Sequence, residues 1–183
     1  QYRHKKQSGG AGQFGEVWLR VAPLERGAGF VFKDKVKGGV IPYQFIPAVE
    51  KGVVQAMAEG AVAGYPIQDV EVTVYDGKHH SVDSKEIAFV AAGKRAFQSA
   101  MAEAEPLVLE PLVSLERSVP ADAMGAVRGD VTSRRGQVLG TRAVPRGDLS
   151  IKAHAPLGEL SDFAGRFKSL TGGEGSYTVV FSH

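Results

Sequence analysis

Residues 112–182 read LVSLERSVPADAMGAVRGDVTSRRGQVLGTRAVPRGDLSIKAHAPLGELSDFAGRFKSLTGGEGSYTVVFS, and the order of elements in this stretch decides the fold. Residues 112–119 read as a strand, Pro120 ends it, and a helix follows over about residues 122–135. Gly136 then stands where a helix C-terminal glycine belongs. Residues 137–144 form a strand, Arg146-Gly147-Asp148 a turn, and residues 149–155 another strand. Residues 157–170 read as a helix and 177–182 as the last strand. The order βαββαβ is that of a ferredoxin-like split βαβ domain.

Upstream, Pro106 and Pro111 bracket a short extended joint, which divides the chain into a first domain at 1–108 and a second at 109–183. In the first domain residues 14–22 alternate, with Val17, Leu19 and Val21 on one face and Trp18 and Arg20 on the other. After the turn Glu25-Arg26-Gly27-Ala28-Gly29, residues 30–35 repeat the pattern, so the two strands are expected to pair antiparallel. Pro47 opens a helix carrying Val49, Val53, Met57 and Ala61 at fourfold spacing, which Gly60 or Gly64 ends. Val70, Val72 and Val74 mark a third strand, broken at Asp76-Gly77. Asp83 or Ser84 is expected to cap a long helix whose apolar stripe is Ile87, Val90, Ala91, Phe97 and Met101. The whole chain is therefore α+β in two domains.

The composition fits this reading: 183 residues, 43% hydrophobic, 23% charged, with 23 Gly and 9 Pro, the balance of a globular chain and not a disordered one. No apolar run approaches the roughly 20 residues of a membrane span, so no membrane partner is expected. The absence of cysteine excludes disulfides, thiolate zinc sites and thiol nucleophiles. The opening Gln1-Tyr2-Arg3, with no initiator Met and no signal pattern, reads as the start of a piece of a longer protein. Net charge is +2, and each half is nearly neutral: 13 basic minus 12 acidic residues through position 108, and 9 minus 8 after it. Nucleic-acid binding by bulk charge calls for a larger excess. Contact with RNA would have to use local clusters such as Arg3-His4-Lys5-Lys6 or Arg134-Arg135.

Gly10-Ala11-Gly12-Gln13-Phe14-Gly15 matches the dinucleotide fingerprint, but it precedes a strand instead of joining a strand to a helix, so it is no cofactor site. With Ser8 and Gly9 it reads either as a plain loop or as one whose backbone approaches a partner closely. His79 and His80, adjacent in a strand-to-helix loop, point apart and have no third ligand at helical spacing, so no metal site is expected. No catalytic triad, paired carboxylates or phosphate loop is found.

The residues also carry a family resemblance. Lys6-Gln7-Ser8-Gly9-Gly10 with Gly12-Gln13, the stretch FKDKVKGGVIPYQFIPAVEKGVVQAMAEG at 32–60, Gly64-Tyr65-Pro66, Tyr75-Asp76-Gly77, His80 and Val82-Asp83-Ser84 resemble the fourth domain of bacterial elongation factor G. Leu109-Glu110-Pro111, Met124-Gly125, Gly129-Asp130, Arg134-Arg135-Gly136-Gln137 and Gly175-Ser176-Tyr177 are similar to its fifth domain. The resemblance implies a cytoplasmic, ribosome-dependent translational GTPase as the parent. GTP and Mg would sit in a GTPase domain absent here, leaving this piece without enzyme activity, cofactor or metal, and a monomer. It implies a ribosomal-protein-like first domain with a left-handed βαβ crossover, against the usual hand, whose tip meets tRNA and messenger RNA at the decoding centre. Carried over by position, that tip is Ser8, Gly9, Gly10, Gly12 and Gln13 with His79, His80 and Asp83, while Arg134 and Arg135 are candidates to face ribosomal RNA from the second domain.

The sequence also departs from the family pattern. Ala11 stands where Arg is usual, Phe14 where Tyr is, and His79 and Ser81 where an aromatic and an Asp flank the histidine. Thr132-Ser133 replaces Asn-Arg, and Gly172-Gly173-Glu174-Gly175 replaces Gln-Gly-Arg-Gly. These changes remove planar cationic donors suited to phosphate and point to a divergent paralogue. Translocation of tRNA and messenger RNA is the leading function implied, with ribosome recycling or tetracycline-type ribosome protection as the alternative. A free-standing RNA-binding or regulatory ferredoxin-like module would expect aromatics on its central strands, and Leu149-Ser150-Ile151-Lys152-Ala153-His154 has none. For His80 two roles stay open: hydrogen-bond donor to RNA, or a stabiliser of the start of the following helix.

Overall fold

The computed structural model describes residues 1–7, 12–144 and 148–182. It divides into two units, Gln1–Val108 and Leu109–His183. Among the described residues no helix is long and apolar enough to cross a membrane.

The first unit has strands β1 (Tyr2–Lys6), β2 (Gln13–Pro23), β3 (Phe30–Asp34) and β4 (Val70–Lys78), with helices α1 (Ile46–Glu59) and α2 (Glu86–Glu103). The strand order is β1-β2-β4-β3. The expected pairing of β2 with β3 is incorrect: β4 lies between them, antiparallel to β2 and parallel to β3. The cause is local. The turn after β2 wraps around Asp69, whose carbonyl accepts from Leu24 N (2.8 Å) and whose carboxylate accepts from Gly29 N (2.8 Å), with Gly27 and Gly29 at positive φ. That holds β3 one strand away from β2, and β4, with Val70, Val72 and Val74 all buried, fills the gap. The mixed sheet contains a βαβ crossover, from β3 through α1 to β4.

One expected cluster is placed and two further expectations change. The basic run Arg3-His4-Lys5-Lys6 lies within the edge strand β1, paired antiparallel with β2. Strand β4 does not break at Asp76-Gly77; it runs on to Lys78 through a β-bulge, with Trp18 opposite Asp76 and Leu19 opposite Val74, so that Tyr75 is the extra residue. Helix α2 starts at Glu86 behind an extended Lys85 that makes no side-chain cap, and neither Asp83 nor Ser84 caps it. Its buried face is Ala88, Phe89, Ala92, Gly93, Ala96, Phe97 and Met101, whereas Ile87 is exposed. Helix α1 carries Pro47 in its first turn and ends at Gly60, which takes φ 77°. The two helices cross closely: a Cβ on Gly93 would lie 2.6 Å from the Val49 carbonyl oxygen, and one on Gly52 would overlap the Val90 carbonyl.

The second unit has β5 (Leu112–Val119), α3 (Met124–Ser133), β6 (Gln137–Ala143), β7 (Leu149–Pro156), α4 (Phe163–Leu170) and β8 (Ser176–Phe181). The order β6-β7-β5-β8 with all neighbours antiparallel is the ferredoxin-like arrangement expected. The helix read over 157–170 is a 3-10 turn (Leu157–Leu160) followed by α4. After α3 it is Arg135, not Gly136, that takes the left-handed conformation, at φ 57°. Gly136 is required for closeness instead, because a Cβ there would sit 2.7 Å from the Val131 carbonyl oxygen. Arg146 and Gly147 of the expected turn lie outside the described residues.

Candidate functional site

At one end of the first unit the loop that follows β4 folds against the start of β2. Phe14 N donates to the Asp83 carbonyl (2.9 Å), and Ser84 Oγ donates to the Phe14 carbonyl (3.0 Å) while accepting from His80 N (2.8 Å). Ser84 N closes the loop on the His80 carbonyl at 3.1 Å. His80 Nδ1 accepts from Val82 N (3.3 Å) and Asp83 N (3.2 Å), which fixes the neutral ring with its proton on Nε2. An Nδ1 that accepts cannot donate, so the Asp83 carboxylate at 3.6 Å is a neighbour and not an ion-pair partner of that neutral ring. The ring lies beside Phe14, centroids 6.3 Å apart.

Gly12 presses on this loop, since a Cβ there would come within 2.8 Å of the Asp83 carboxyl group. Gln13 Oε1 accepts from His4 Nε2 at 3.0 Å. His79 turns the other way and donates from Nδ1 to the Val40 carbonyl at 3.0 Å. Gly12, Gln13, His80 and Asp83 are thus brought together, and His79 stands aside. Ser8, Gly9 and Gly10, with Ala11, lie outside the described residues. Lys5, Lys6, Phe14, His80 and Asp83 line a cleft of about 190 Å³. Sequence reasoning read Ser84 as a helix cap and missed that it braces the loop; a hydroxyl four positions after a histidine, at a strand-to-helix loop, is the available signal.

Along β2, Glu16 is buried, and its carboxylate accepts from Arg3 Nε (2.5 Å) and Trp18 Nε1 (3.2 Å). The Arg3 hydrogen bond, helped by that of Trp18, holds the Glu16 carboxyl below the usual carboxylate range against the opposing effect of burial.

In the second unit Arg134 donates to Asp130 (3.1 Å), Asp162 (2.6 Å) and the Glu159 carbonyl (2.6 Å), with its side chain only 11% exposed. Arg135 forks onto Glu110 at 2.6 and 2.7 Å and reaches Glu159. Both guanidiniums are raised well above their ordinary range by these carboxylates, and both are engaged inside the unit. Among the described residues no group of His, Cys, Asp or Glu is placed to hold a metal ion.

Two family models match, "Elongation factor G, domain IV" over residues 1–105 and "Elongation factor G C-terminus" over 107–183. The chain is 45% identical over 181 residues to an elongation factor G-like protein of Thermotoga maritima, covering 99% of this chain and 26% of that protein. It is 48% identical over 179 residues to elongation factor G of Aquifex pyrophilus, covering 97% of this chain and 25% of that protein. A crystal structure from Thermus thermophilus superposes with a TM-score of 0.79 at 41% identity, over 99% of this chain and 27% of that one. The chain thus spans about a quarter of the length of the curated relatives it matches, and the two family models cover all of it but Pro106. The chain belongs to the elongation factor G family, of which it is domain IV and the C-terminal domain.

Proposed function

We propose that this chain is the ribosome-facing arm of a cytoplasmic translational GTPase, and that its tip, residues 8–15 with 78–83, enters the decoding centre as tRNA and messenger RNA move. The boundary at residue 108 is proposed as the joint between the arm and the domain that steadies it on ribosomal RNA. The observation that carries this reading is the His80 loop: Nδ1 is spent on two backbone N–H groups, so Nε2–H remains as a fixed donor beside Lys5 and Lys6. Such a donor suits a phosphate, a 2′-hydroxyl or a base edge. Nδ1 braces the loop ahead of α2 while Nε2–H is left for a partner, so bracing and RNA contact are compatible.

The test is made in the full-length parent. His80→Ala should slow tRNA–messenger movement while ribosome-stimulated GTP hydrolysis stays nearly unchanged; normal movement with a lowered melting temperature would make His80 structural only. Restoring arginine by Ala11→Arg should tighten ribosome binding most at low salt. A parent that binds ribosomes and hydrolyses GTP there without moving tRNA would be a recycling or protection factor. The isolated chain should neither bind nor turn over GTP.

A further inference from the structure

We propose that the sheet face of the first unit opposite its helices is a stacking platform for unpaired RNA bases, centred on Trp18 and Tyr75 and adjoining the tip loops. It rests on the ribosomal reading only in taking RNA as the partner. Gly15, Val17 and Leu19 of β2 face the helices, so Phe14, Glu16, Trp18 and Arg20 share the other face. The bulge brings the extra residue Tyr75 to the same face, where its ring meets that of Trp18 edge-on at 6.4 Å, and the Arg20 guanidinium lies over the Tyr75 ring at 5.3 Å.

These rings are held before any ligand arrives. Trp18 is anchored through Nε1–H to Glu16, which Arg3 fixes in turn. Tyr75 is nevertheless 37% exposed. Aromatic rings on an exposed sheet face, pinned and interleaved with cations, suit unpaired bases, because every base offers a π-face and the phosphates need counter-charge.

The charges around the rings are complementary to such a strand. Among the described residues Lys5, Arg20 and Lys78 form no ion pair. The acids of the face are already engaged: Glu16 with Arg3, Glu71 with Lys33, and Asp76 with the N–H of Gly77. From Phe14 to Trp18 the strand rises ~13 Å, at ~3.3 Å per residue, which is the length of several bases stacked at about 3.4 Å. The platform thus continues from the tip cleft that Phe14 lines.

Trp18 is the single tryptophan of the chain, so its emission reports this face directly. The probe is an unstructured single-stranded oligoribonucleotide of about ten residues, compared with a duplex of the same length, inorganic polyphosphate and polyglutamate. The single strand should quench Trp18 saturably, and the three controls should leave its emission nearly unchanged. Tyr75→Ala should weaken single-strand binding roughly tenfold and Tyr75→Phe should restore it. Arg20→Gln, on an exposed side chain, should weaken binding about threefold and lower its salt dependence. No quenching by the single strand, equal quenching by polyphosphate or polyglutamate, or unchanged affinity in both Tyr75→Ala and Arg20→Gln overturns the platform. His80→Ala separates the two readings, because it should spare quenching by the oligonucleotide. Ribosome binding that depends on His80 without any Trp18 response would sink the platform and leave the tip reading standing. Trp18 quenching without ribosome binding would do the reverse.

Discussion

The two units solve the packing of helices on a sheet in different ways. In the first, α1 and α2 approach until Gly52 and Gly93 touch the backbone of the opposite helix. The core there is one apolar cluster, running from Val17 and Val72 through Val49 and Val53 to Phe89 and Phe97. In the second, the glycines of α3 and α4 (Gly125, Gly129 and Gly165) have nothing within 4 Å of a Cβ. Its core is two smaller clusters, one about Leu115 and Val131, the other about Val127, Phe163 and Phe167. Beside them lies a buried arginine, Arg117, whose guanidinium sits 4.1 Å from the Phe163 ring centroid with none of its nitrogens hydrogen-bonded. Burial pushes that guanidinium down to about 10. Ion pairs centred on Asp130, Arg134 and Arg135 then bind α3 to the turn that precedes α4. One unit is held by closeness and apolar area, the other in part by charge.

The sharpest way to break this contrast is at the helix crossing. Gly52→Val places a side chain on the Val90 carbonyl and should cost about 3 kcal/mol or more. The urea transition of the first unit, followed by Trp18 emission, should move to lower urea while the second unit melts unchanged. A variant with wild-type stability would show that the helices can separate freely.

Asp130→Ala comes next. It strips the nearly buried Arg134 of one carboxylate and takes away the anion closest in effect to Arg117, so a loss of about 3 kcal/mol confined to the second unit is expected. Calorimetry resolving the two transitions would check the confinement. Arg117→Met should do the opposite, leaving stability unchanged or raising it by about 1 kcal/mol, because a buried cation without hydrogen-bond partners is replaced by an apolar chain of similar length. A large loss would mean that its contacts with Phe163 and Phe167 outweigh its desolvation.

Gly129→Ala should be smaller still, a gain of about 0.5–1 kcal/mol, since the site is open and Ala favours the helix. The contrast with Gly52 would fail if this change also destabilised.

Acid gives the smallest effect. The Arg135 hydrogen bonds hold Glu110 below the usual carboxylate range, and those of Arg134 do the same for Asp162. A carboxylate depressed on folding stabilises fully above its unfolded value near ~4 and loses that contribution as pH falls through its folded value. Stability of the second unit should therefore decline below about pH 4, and Glu110→Gln should flatten the decline slightly in acid melts.

The second unit was largely legible in the sequence because proline and glycine punctuate it and its elements follow in the diagnostic βαββαβ order. The first was less so. Strand β1 alternates between polar residues, leaving no apolar period to find, and the parallel partner of β3 lies far along the chain, where local patterning is silent. Ile87 was misread because one apolar residue in the first turn of a helix cannot reveal which face the tertiary packing will choose. At the site, family resemblance pointed to His80, and the His80–Ser84 spacing is a local signal, but the bond from Ser84 to the Phe14 carbonyl joins segments far apart in the chain, where local patterning is silent. Arg117 was passed over although it alternates in phase with the buried Val113, Leu115 and Val119, because an arginine reads as outward until the aromatic faces beneath it are known.

The extra residue in β4 makes that strand two rulers joined end to end. Up to Val74 the even positions face the helices; beyond the extra residue it is the odd position Gly77 that packs against the buried Ile41. Deleting Tyr75 would merge the scales into one regular ladder, with Val74 still opposite Leu19 and Asp76 opposite Trp18, so both ends would keep their faces and only the extra ring would be lost. The bulge thus adds a ring to the outer face without turning over the half of the strand that builds the core.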